Sequence, residues 1–328
     1  MVVPAFNAES WIEEALESVR QQGDDIEVIV VDDGSRDRSA EIVRSFFDRH
    51  GLNGTVLAQE NSGPAAARNL GWQAASADWI QFLDADDRLA PKKLRVQYEE
   101  AVSVPAEVAV LYSPWQRIDF FDGHWDTRGP VIRAQVDEDT VASILKDPLF
   151  GYVGPTLIRR SALEEIGGFS PQMTLGEDLD LMLRIAMSGH KFRAVPSPEP
   201  LFFYRDTPES LWHNSAADGA ALMRLMLAVR DAENYVRRGS TGGNGPAVST
   251  KLAIATRYAE HLDVLRSTEP RDFRRVLTWI SDLDLRQAPP GSRLPAQCFA
   301  ALAGLGNALR LQCALRHSIR SLRSARRA

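Results

Sequence analysis

Three short acidic segments carry the side chains best suited to catalysis. Asp84–Asp87 (sequence DADD) and the pair Asp32-Asp33 each follow an apolar stretch, and Glu177-Asp178 precedes an amphipathic one. Carboxylates one residue apart can hold a hard divalent cation, which often completes its coordination with phosphate oxygens. A carboxylate at a helix entry can accept the proton of an attacking hydroxyl. Together the segments predict chemistry on a diphosphate.

Each segment alone also fits a plainer role. The DADD sequence is compatible with a solvated acidic turn, and either Asp32 or Asp33 can cap the helix that follows it. Asp178 has the position of a helix N-cap. Arg68 lies near a Gly-Pro turn, where it contacts a base or phosphates or forms an ordinary surface salt bridge.

Strands and helices must bring these segments together. Up to about residue 115, short β-branched runs alternate with amphipathic segments, which is typical of strand-helix units around a largely parallel sheet. Strands are predicted to end at Val3 and to span Ile26–Val31, Thr55–Ala58 and Trp79–Leu83, with helices from Ser10 to Gly23, from Asp37 or Ser39 to His50, and over Ala65–Ala75. Because ligands bind beyond the carboxyl ends of parallel strands, Asp33 and Asp86 are expected at one edge.

The rest of the chain is less regular. Strands are predicted at Val108–Tyr112, Val153–Arg159 and Leu201–Tyr204, and a helix at Leu179–Met187. After about residue 210 the pattern becomes helical, interrupted by a flexible segment from Gly239 to Pro246. Met1–Val3 is typical of the last part of a strand that begins further upstream.

Composition limits the function classes. The chain has 328 residues, 44% of them hydrophobic, and a net charge of -6, which gives no basic field for a nucleic acid. Cys298 and Cys313 are the two cysteines, so neither a disulfide framework nor a Cys-rich zinc site is expected. Without a secretion signal or a bilayer-spanning apolar run, the expected location is the cytoplasm.

The order and spacing of the motifs over roughly residues 1 to 205 resemble the inverting glycosyltransferases of family 2. The motifs are Val2–Asn7 with Glu9, Val30–Ser35, Asn61–Asn69, Phe82–Asp87, and Gly167–Phe169 before Gly176–Leu181. The resemblance implies an α/β fold of the A-type (GT-A) nucleotide-diphospho-sugar transferases, with a Rossmann-like mixed sheet flanked by helices. To this the sequence adds a helical C-terminal extension.

The resemblance also implies residue roles. Nucleotide-sugar binding is assigned to Pro4, Phe6, Glu9, Asp32, Asp33, Arg68, Asp84, Glu177 and Arg205. Asp86, with Asp84, is assigned to a divalent cation, Mn²⁺ or Mg²⁺, and Asp178 to the base. Family members often carry a His soon after the Tyr-Arg pair that here is Tyr204-Arg205. The first His after this pair is His213, so either Asp206 or His213 takes that place or the metal is held more weakly.

The predicted function is transfer of a sugar from a nucleotide-diphosphate donor, by family frequency a UDP-sugar, to a saccharide or lipid-linked acceptor in cell-surface glycan synthesis. Residues 1–115 are expected to bind the donor and 116–212 the acceptor, with 213–328 as the helical extension. A nucleotidyltransferase and a non-catalytic nucleotide-sugar-binding scaffold are the alternatives. A dinucleotide-dependent oxidoreductase is disfavoured because Pro4–Asn7 is not a Gly-rich turn.

The C-terminal tail has a charge opposite to that of the whole chain. From residue 285 onward it contains eight Arg, no Lys and no acidic residue. Its leucines recur at roughly helical spacing, which is typical of a basic amphipathic helix that docks on anionic lipid at the inner face of a membrane. Packing on the acidic body or dimerisation through these helices fits the pattern equally.

Overall fold

The computed structural model describes residues 1–23, 25–121, 124–135, 139–146, 152–207, 218–239, 248–259 and 262–283. The chain divides into two compact units, Met1–Ile144 with Pro148–Asn214 and Leu145–Asp147 with Ser215–Ala328. His213, residues 240–246 of the predicted flexible segment and the tail with both cysteines lie outside the described residues. The predicted division into donor and acceptor halves at residue 115 stays a prediction.

The first unit is a mixture of strands and helices. Its strands are β1 Val2–Ala5, β2 Val28–Asp32, β3 Gly54–Ala58, β4 Trp79–Ile80, β5 Arg88–Leu89, β6 Val108–Tyr112, β7 Trp115–Phe121, β8 His124–Ile132, β9 Thr156–Arg159, β10 Lys191–Ala194 and β11 Phe202–Arg205. Its helices are α1 Ile12–Arg20, α2 Ser39–His50, α3 Pro64–Ala74, α4 Lys93–Ala101, α5 Thr140–Lys146, α6 Arg160–Ile166 and α7 Glu177–Met187.

A mixed sheet forms the centre of this unit. Strands β3, β2 and β1 are parallel neighbours, and β4, β9, β6 and β10 follow in that order, with β9 antiparallel to both β4 and β6. Val2 N–H donates to Gln81 O (2.8 Å) and Leu83 N–H donates to Val2 O (3.0 Å), which joins β1 to the continuation of β4. The predicted mixed sheet is therefore confirmed.

The strand order directs the acidic loops to one edge. Val28–Val31 of β2 are all buried, as expected for a strand with parallel neighbours on both sides. The chain leaves β1 at Phe6, β2 at Asp33 and the continuation of β4 at Asp84. Since these three strands are parallel, the loops begin at the same edge of the sheet.

Helix α3 lies very close to the sheet. It begins with Pro64 after Gly63, whose φ of 88° is the left-handed conformation that glycine adopts at little cost. A Cβ on Gly71 would lie 2.3 Å from Val2 Cγ1, so only a residue without a side chain permits this approach. Helix α1 differs from prediction at its start: it begins at Ile12 without a side-chain cap, so the predicted capping by Ser10 is wrong.

A second, smaller sheet has the order β5-β11-β7-β8. Its β7-β8 hairpin is absent from the strands predicted above. The predicted strand at Val153–Arg159 is shorter than expected, because Thr156 N–H donates to Val153 O (2.9 Å) and so residues 153–156 form a turn. β9 therefore begins only at Thr156.

Buried polar side chains fix α4 to the sheet and to this turn. Lys93 is fully buried, and its Nζ donates to Gln81 Oε1 and to Gln97 Oε1. Gln81 Nε2 donates to Gly154 O (2.7 Å), and Gln97 Nε2 donates to Pro155 O (3.1 Å). The conformation of residues 154–155 is thus held by side chains from two other elements.

The described part of the second unit is helical, as predicted for the region after residue 210. Its helices are α8 Gly219–Gly239, α9 Val248–Ala259, α10 Leu262–Thr268 and α11 Pro270–Asp282. At its centre Glu233, fully buried, accepts hydrogen bonds from Tyr258, Arg230 and Arg237, each at 2.7 Å. Among the described helices of both units, none combines the length and apolar character that a membrane span requires.

Candidate active site

One buried arginine, Arg68, contacts three other predicted site residues. Arg68 Nη2 donates to Asp84 Oδ1 (2.7 Å), and its Nη1 donates to Glu177 Oε1 (2.9 Å) and lies 3.4 Å from Asp178 Oδ1. The Arg68 side chain is 4% exposed. Three neighbouring carboxylates raise the pKa of Arg68 well above its ordinary value although burial opposes this, so the guanidinium is a permanent cation. The surface salt bridge considered for Arg68 is therefore wrong.

Neighbouring contacts fix the arginine in place. The Arg68 guanidinium lies 5.3 Å from the centroid of the Phe169 ring, within range of a cation-π interaction. The side chain of the next residue, Asn69, donates to Phe169 O (2.8 Å) and accepts from Phe169 N–H (2.9 Å). These contacts join the start of α3 to the segment before α7, so two regions about a hundred residues apart in sequence position the same carboxylates.

Asp178 has the environment of a base whose proton affinity is raised. Its Oδ2 accepts a hydrogen bond from Val153 N–H (3.0 Å), and its Oδ1 accepts none among the described residues. Burial raises the pKa of Asp178 to about 8; Arg68 opposes the shift, while Glu177 and Asp84 add to it. The N-cap of α7 is Gly176, with φ 71°, so the alternative that Asp178 is the cap is wrong.

The DADD loop places two carboxylates in different surroundings. Burial, and then the charge of Asp84, raise the pKa of Asp86 to about 6. Asp87 is buried and accepts a hydrogen bond from Arg205 N–H (2.8 Å), so it connects the loop to the end of β11. Thr207 Oγ1 is 3.4 Å from Asp86 Oδ2. The predicted solvated acidic turn is thus wrong for Asp86 and Asp87.

The donor set suits a cation that binds together with a diphosphate. Among the described residues no group of three or more His, Cys, Asp or Glu side chains forms a complete metal site. Mg²⁺ is commonly held by one or two carboxylates, with waters and substrate phosphates as the other ligands. Asp86 and Asp84 supply that number; burial is the first cause of the raised pKa of Asp86, and the second is the charge of Asp84, which a cation would neutralise. The residues therefore fit such an ion.

The two loops predicted to hold the nucleoside are hydrogen-bonded to each other. Asn7 N–H donates to Ser35 Oγ (3.0 Å), and Glu9 Oε2 accepts from Arg38 N–H (3.1 Å). Phe6 is 47% exposed beside the partly buried Pro4, which leaves an aromatic surface open at the end of β1. Pro4, Phe6 and Glu9 therefore lie at the predicted edge, while their contacts with a nucleoside stay a prediction.

Asp32 and Asp33 lie at the end of β2, but their carboxylates accept hydrogen bonds from different segments. Asp32 Oδ1 accepts from Ser35 N–H (3.0 Å) within its own turn, so it does not cap α2. Asp33 is 4% exposed, and its Oδ1 accepts from Gln59 Nε2 (2.7 Å) and Ser62 N–H (2.8 Å). Its Oδ2 accepts from Gly63 N–H (2.8 Å). Asp33 thus fixes the loop that leads into α3 and Arg68.

Arg205 is held by residues of α1 and its entry. Its Nη2 donates to Glu14 Oε2 (2.9 Å), and its guanidinium lies 4.4 Å from the centroid of a Trp11 ring. Burial lowers the pKa of Arg205, and the carboxylates Glu14, Asp86 and Asp87 oppose this. Its predicted contact with the donor is untested. Asp206, offered as a replacement for the family's His, lies 3.9 Å from Arg117, and its predicted role stays a prediction.

Sequence reasoning missed several supporting residues. Val153 contributes a backbone N–H to Asp178, and a backbone donor leaves no mark in the residue type. Thr207 and Asp87 were not singled out, although Asp87 is part of the DADD segment. A signal was available only for Asp87, since an acid directly after a predicted metal ligand is expected to be buried or paired.

Comparison with known proteins identifies the family. The model of glycosyl transferase family 2 matches residues 1–167, about half of the chain. The minor teichoic acid biosynthesis protein GgaA of Bacillus subtilis is 30% identical over 219 residues, which cover 64% of this chain and 47% of that protein. The chain thus spans about half the length of that relative.

Solved structures share the fold. Staphylococcus aureus TarS 1-349 in complex with UDP gives a TM-score of 0.61 at 16% identity, covering 98% of this chain and 90% of that one. The mannosyltransferase PcManGT of Pyrobaculum calidifontis, with GDP-Man and Mn²⁺, gives 0.56 at 20% identity, covering 97% and 82%. Since the family model matches half the chain and includes both acidic loops, this chain belongs to glycosyl transferase family 2 and has the GT-A fold.

Proposed function

We propose that the protein transfers a sugar from a nucleotide-diphosphate donor to an acceptor hydroxyl, with a divalent cation and with inversion at the anomeric carbon. The observation that carries the proposal is the Asp178 carboxylate, which has one oxygen fixed by Val153 and the other buried 3.4 Å from Arg68 without a hydrogen-bond donor among the described residues. A fixed carboxylate of raised proton affinity is suited to accept the proton of a hydroxyl.

The proposed reaction is a single displacement. Asp178 takes the proton from the acceptor O–H while the acceptor oxygen bonds to the anomeric carbon and the nucleoside diphosphate leaves with the bonding electrons. A cation held by Asp86 and Asp84 supplies charge stabilisation for the leaving diphosphate. A retaining double displacement needs a second carboxylate as nucleophile on the opposite face. Here the carboxylates Asp84 and Glu177 each accept a hydrogen bond from Arg68, whereas Asp178 Oδ1 lies 3.4 Å from Arg68 without one, so Asp178 is assigned the single base.

Donor and acceptor are proposed from the relatives. TarS is solved with UDP and PcManGT with GDP-Man and Mn²⁺, which supports a nucleotide-sugar donor and a divalent cation; we take a UDP-sugar as the first candidate. GgaA is named for teichoic acid biosynthesis, which supports a role in making a cell-surface glycan. The saccharide or lipid-linked acceptor, the cytoplasmic location and the contact of the basic tail with a membrane or a second copy are parts of the same proposal.

Turnover of a panel of UDP- and GDP-sugars, with Mn²⁺, Mg²⁺ or EDTA, tests the proposal. Asp178→Asn should lower the rate about 100-fold or more, the usual contribution of a general base. Asp86→Ala should abolish the increase in turnover rate that the cation gives the wild type. Asp48→Asn, on the exposed side of α2, is the matched control and should behave as the wild type.

The products separate the alternatives. A glycosyltransferase releases a nucleoside diphosphate, whereas a nucleotidyltransferase acts at the nucleoside phosphate and exchanges pyrophosphate. Binding of the nucleotide sugar without turnover would favour the scaffold alternative. Full cation-dependent activity of Asp86→Ala would show that the metal assignment is wrong. Wild-type rates for Asp178→Asn would show that Asp178 is not the base.

A further inference from the structure

The turn that holds Asp178 also carries an aromatic cluster that the proposed chemistry does not use. Tyr152 directly precedes Val153, whose N–H binds the Asp178 carboxylate. The centroid of the Tyr152 ring lies 5.0 Å from that of Tyr204 and 5.2 Å from that of Trp115. The cluster of Trp115, Tyr152 and Tyr204 is therefore connected to the candidate base through a single peptide unit.

Two of the three rings are accessible. Trp115 is fully buried, whereas Tyr152 and Tyr204 are partly exposed. Strands β7 and β11 are paired so that Tyr204 is beside Arg117, two residues from Trp115. Because side chains alternate along a strand, Tyr204 lies on the opposite face of the small sheet from Arg205. Trp115 thus forms a buried support, and the two tyrosines form a partly open surface.

The surface is rigid and close to the acidic groups of the site. A Cβ on Gly154 would lie 2.3 Å from Phe202 Cζ, so the turn is packed tightly on β11. Burial raises the pKa of the Tyr152 hydroxyl; the charge of Arg117 opposes the shift, and the charges of Asp87, Asp178 and Asp206 add to it. Tyr152 therefore lies near the carboxylates of the site and directly precedes the residue whose N–H binds Asp178.

We infer that Tyr152 and Tyr204 form the acceptor subsite and that this subsite binds a pyranose ring. One face of a pyranose is made of C–H groups, and an aromatic ring offers a large apolar surface with a polar edge. Binding sites of this kind combine aromatic walls with a few polar groups that fix orientation. Arg117, whose side chain is 48% exposed and whose Cζ lies 5.9 Å from the Tyr204 ring centroid, supplies donors at the rim.

The inference rests on the proposed function, because the hydroxyl to be activated must approach Asp178. A sugar seated on the two rings presents its hydroxyls beyond the edge of the rings, next to the turn whose Val153 N–H binds Asp178. The subsite thus assigns the acceptor a chemical class, a glycoside with an exposed pyranose face. An acyclic polyol or a protein side chain would not use the rings in this way.

Binding of methyl pyranosides to the full-length protein tests the subsite. Methyl β-glucoside, β-galactoside, α-mannoside and β-N-acetylglucosaminide are titrated by saturation-transfer difference NMR in the presence of UDP and Mn²⁺. Tyr152→Ala should increase the dissociation constant of the pyranoside at least fivefold. For Tyr152→Phe, which keeps the ring, the dissociation constant should stay within about twofold of the wild-type value. Tyr98→Ala, a 57% exposed tyrosine on α4, should bind as the wild type does.

The outcomes separate this inference from the proposed function. If the wild type binds no pyranoside of the panel, or if Tyr152→Ala binds as tightly as the wild type, the subsite is wrong even when nucleotide sugars are turned over. If pyranoside binding depends on the Tyr152 ring but no nucleotide sugar is turned over, the subsite is supported and the proposed transferase function is wrong. Should Tyr152→Ala fail to fold, Tyr152→Leu retains the volume without the ring and should show the same loss.

Discussion

Arg68 determines the geometry of the site at the scale of single residues. Its guanidinium contacts carboxylates from the DADD loop and from the start of α7, and it is almost fully buried. Three carboxylates around one cation are stable only while the cation is present, because uncompensated buried charges are costly. The same arginine therefore supports the fold and sets the charge around Asp178.

Replacement of Arg68 by Met should destabilise the protein by about 3 kcal/mol or more, the usual cost of removing one partner of a buried ion pair. Arg68→Lys keeps the charge but cannot contact separate carboxylates with separate nitrogens, so an intermediate loss is expected. Urea denaturation followed by fluorescence measures both. Arg44→Met, on α2 and exposed, is the control. Equal midpoints for Arg68→Met and the wild type would contradict the structural role.

The raised pKa of Asp178 predicts a pH dependence. With a pKa of about 8, Asp178 is largely protonated at pH 7 and becomes a base as the pH rises. The kcat/KM for the donor reports the free enzyme and should therefore increase between pH 6 and 8, approaching about tenfold per unit well below the pKa. A profile that is flat from pH 6 to 9 would contradict this assignment. The residual rate of Asp178→Asn should lack the rise.

The sequence predicted the residue types of the site better than their contacts. Asp84, Glu177 and Asp178 stand out because acids at strand and helix ends are few. That Arg68 joins them depends on a contact across 109 residues, which no local pattern encodes. The role of Val153 is made by its backbone, so its side chain carries no information on it.

At the scale of elements, the Lys93 cluster is the most unusual feature. A helix begins with a lysine whose amine is buried between two glutamines, and these bind the carbonyls of the turn beside Asp178. Polar groups buried with hydrogen-bond partners fix one arrangement of the elements around them. The orientation of α4 and the shape of the turn are thus determined together.

Burial lowers the pKa of Lys93 well below its ordinary value, which gives a pH-dependent contribution to stability. Below about pH 10.4 the Lys93 amine is protonated in the unfolded chain but stays neutral in the folded protein until the pH reaches its lowered folded-state pKa. Between these two pKa values the free energy of unfolding therefore decreases as the pH decreases, by up to about 1.4 kcal/mol per pH unit. Urea denaturation at pH 8.5 and 9.5 should show a smaller pH slope for Lys93→Met than for the wild type. Lys92→Met, at the exposed neighbour, should keep the wild-type slope.

Elements with a regular apolar pattern could be predicted, and others could not. The strands before residue 83 follow short, largely apolar runs, and the sequence predicted them. In β7, Trp115, Arg117 and Asp119 fall on one face and Gln116 and Ile118 on the other, so each face mixes polar and apolar residues and the strand lacks a clear alternation. The strand predicted from Val153 is interrupted because Gly154-Pro155 favours a turn, a signal that the apolar composition outweighed.

At the scale of the whole molecule, the two compact units have separate buried cores. The second is built around Glu233, whose carboxylate is satisfied by Tyr258, Arg230 and Arg237. The helical character of this unit could be predicted from its spacing. The buried glutamate could not, because sequence patterns do not reveal that an acid is paired inside a core.

Tyr258→Phe should remove one hydrogen bond to the buried carboxylate, which costs about 1.5–3 kcal/mol. In calorimetry we expect a separate unfolding transition for each unit. Tyr258→Phe should lower the midpoint temperature of the second unit by several degrees and leave that of the first unit unchanged. UDP with Mn²⁺ should raise the midpoint temperature of the first unit only, because ligands stabilise the state that binds them. Tyr235→Phe, partly exposed on α8, is the control. Equal shifts of both transitions would contradict separate unfolding.

The long-range contacts that join α3 to the segment before α7 and to the start of α7 have a consequence for synthesis on the ribosome. Asn69 and Phe169 are a hundred residues apart, and Arg68 reaches Glu177 across a slightly longer interval. A nascent chain that ends before residue 177 has Arg68 and Asp84 but lacks the rest of the charge cluster. Burial of Arg68 must therefore wait until α7 has emerged from the exit tunnel, so a translational pause before that point leaves the catalytic unit dependent on chaperones.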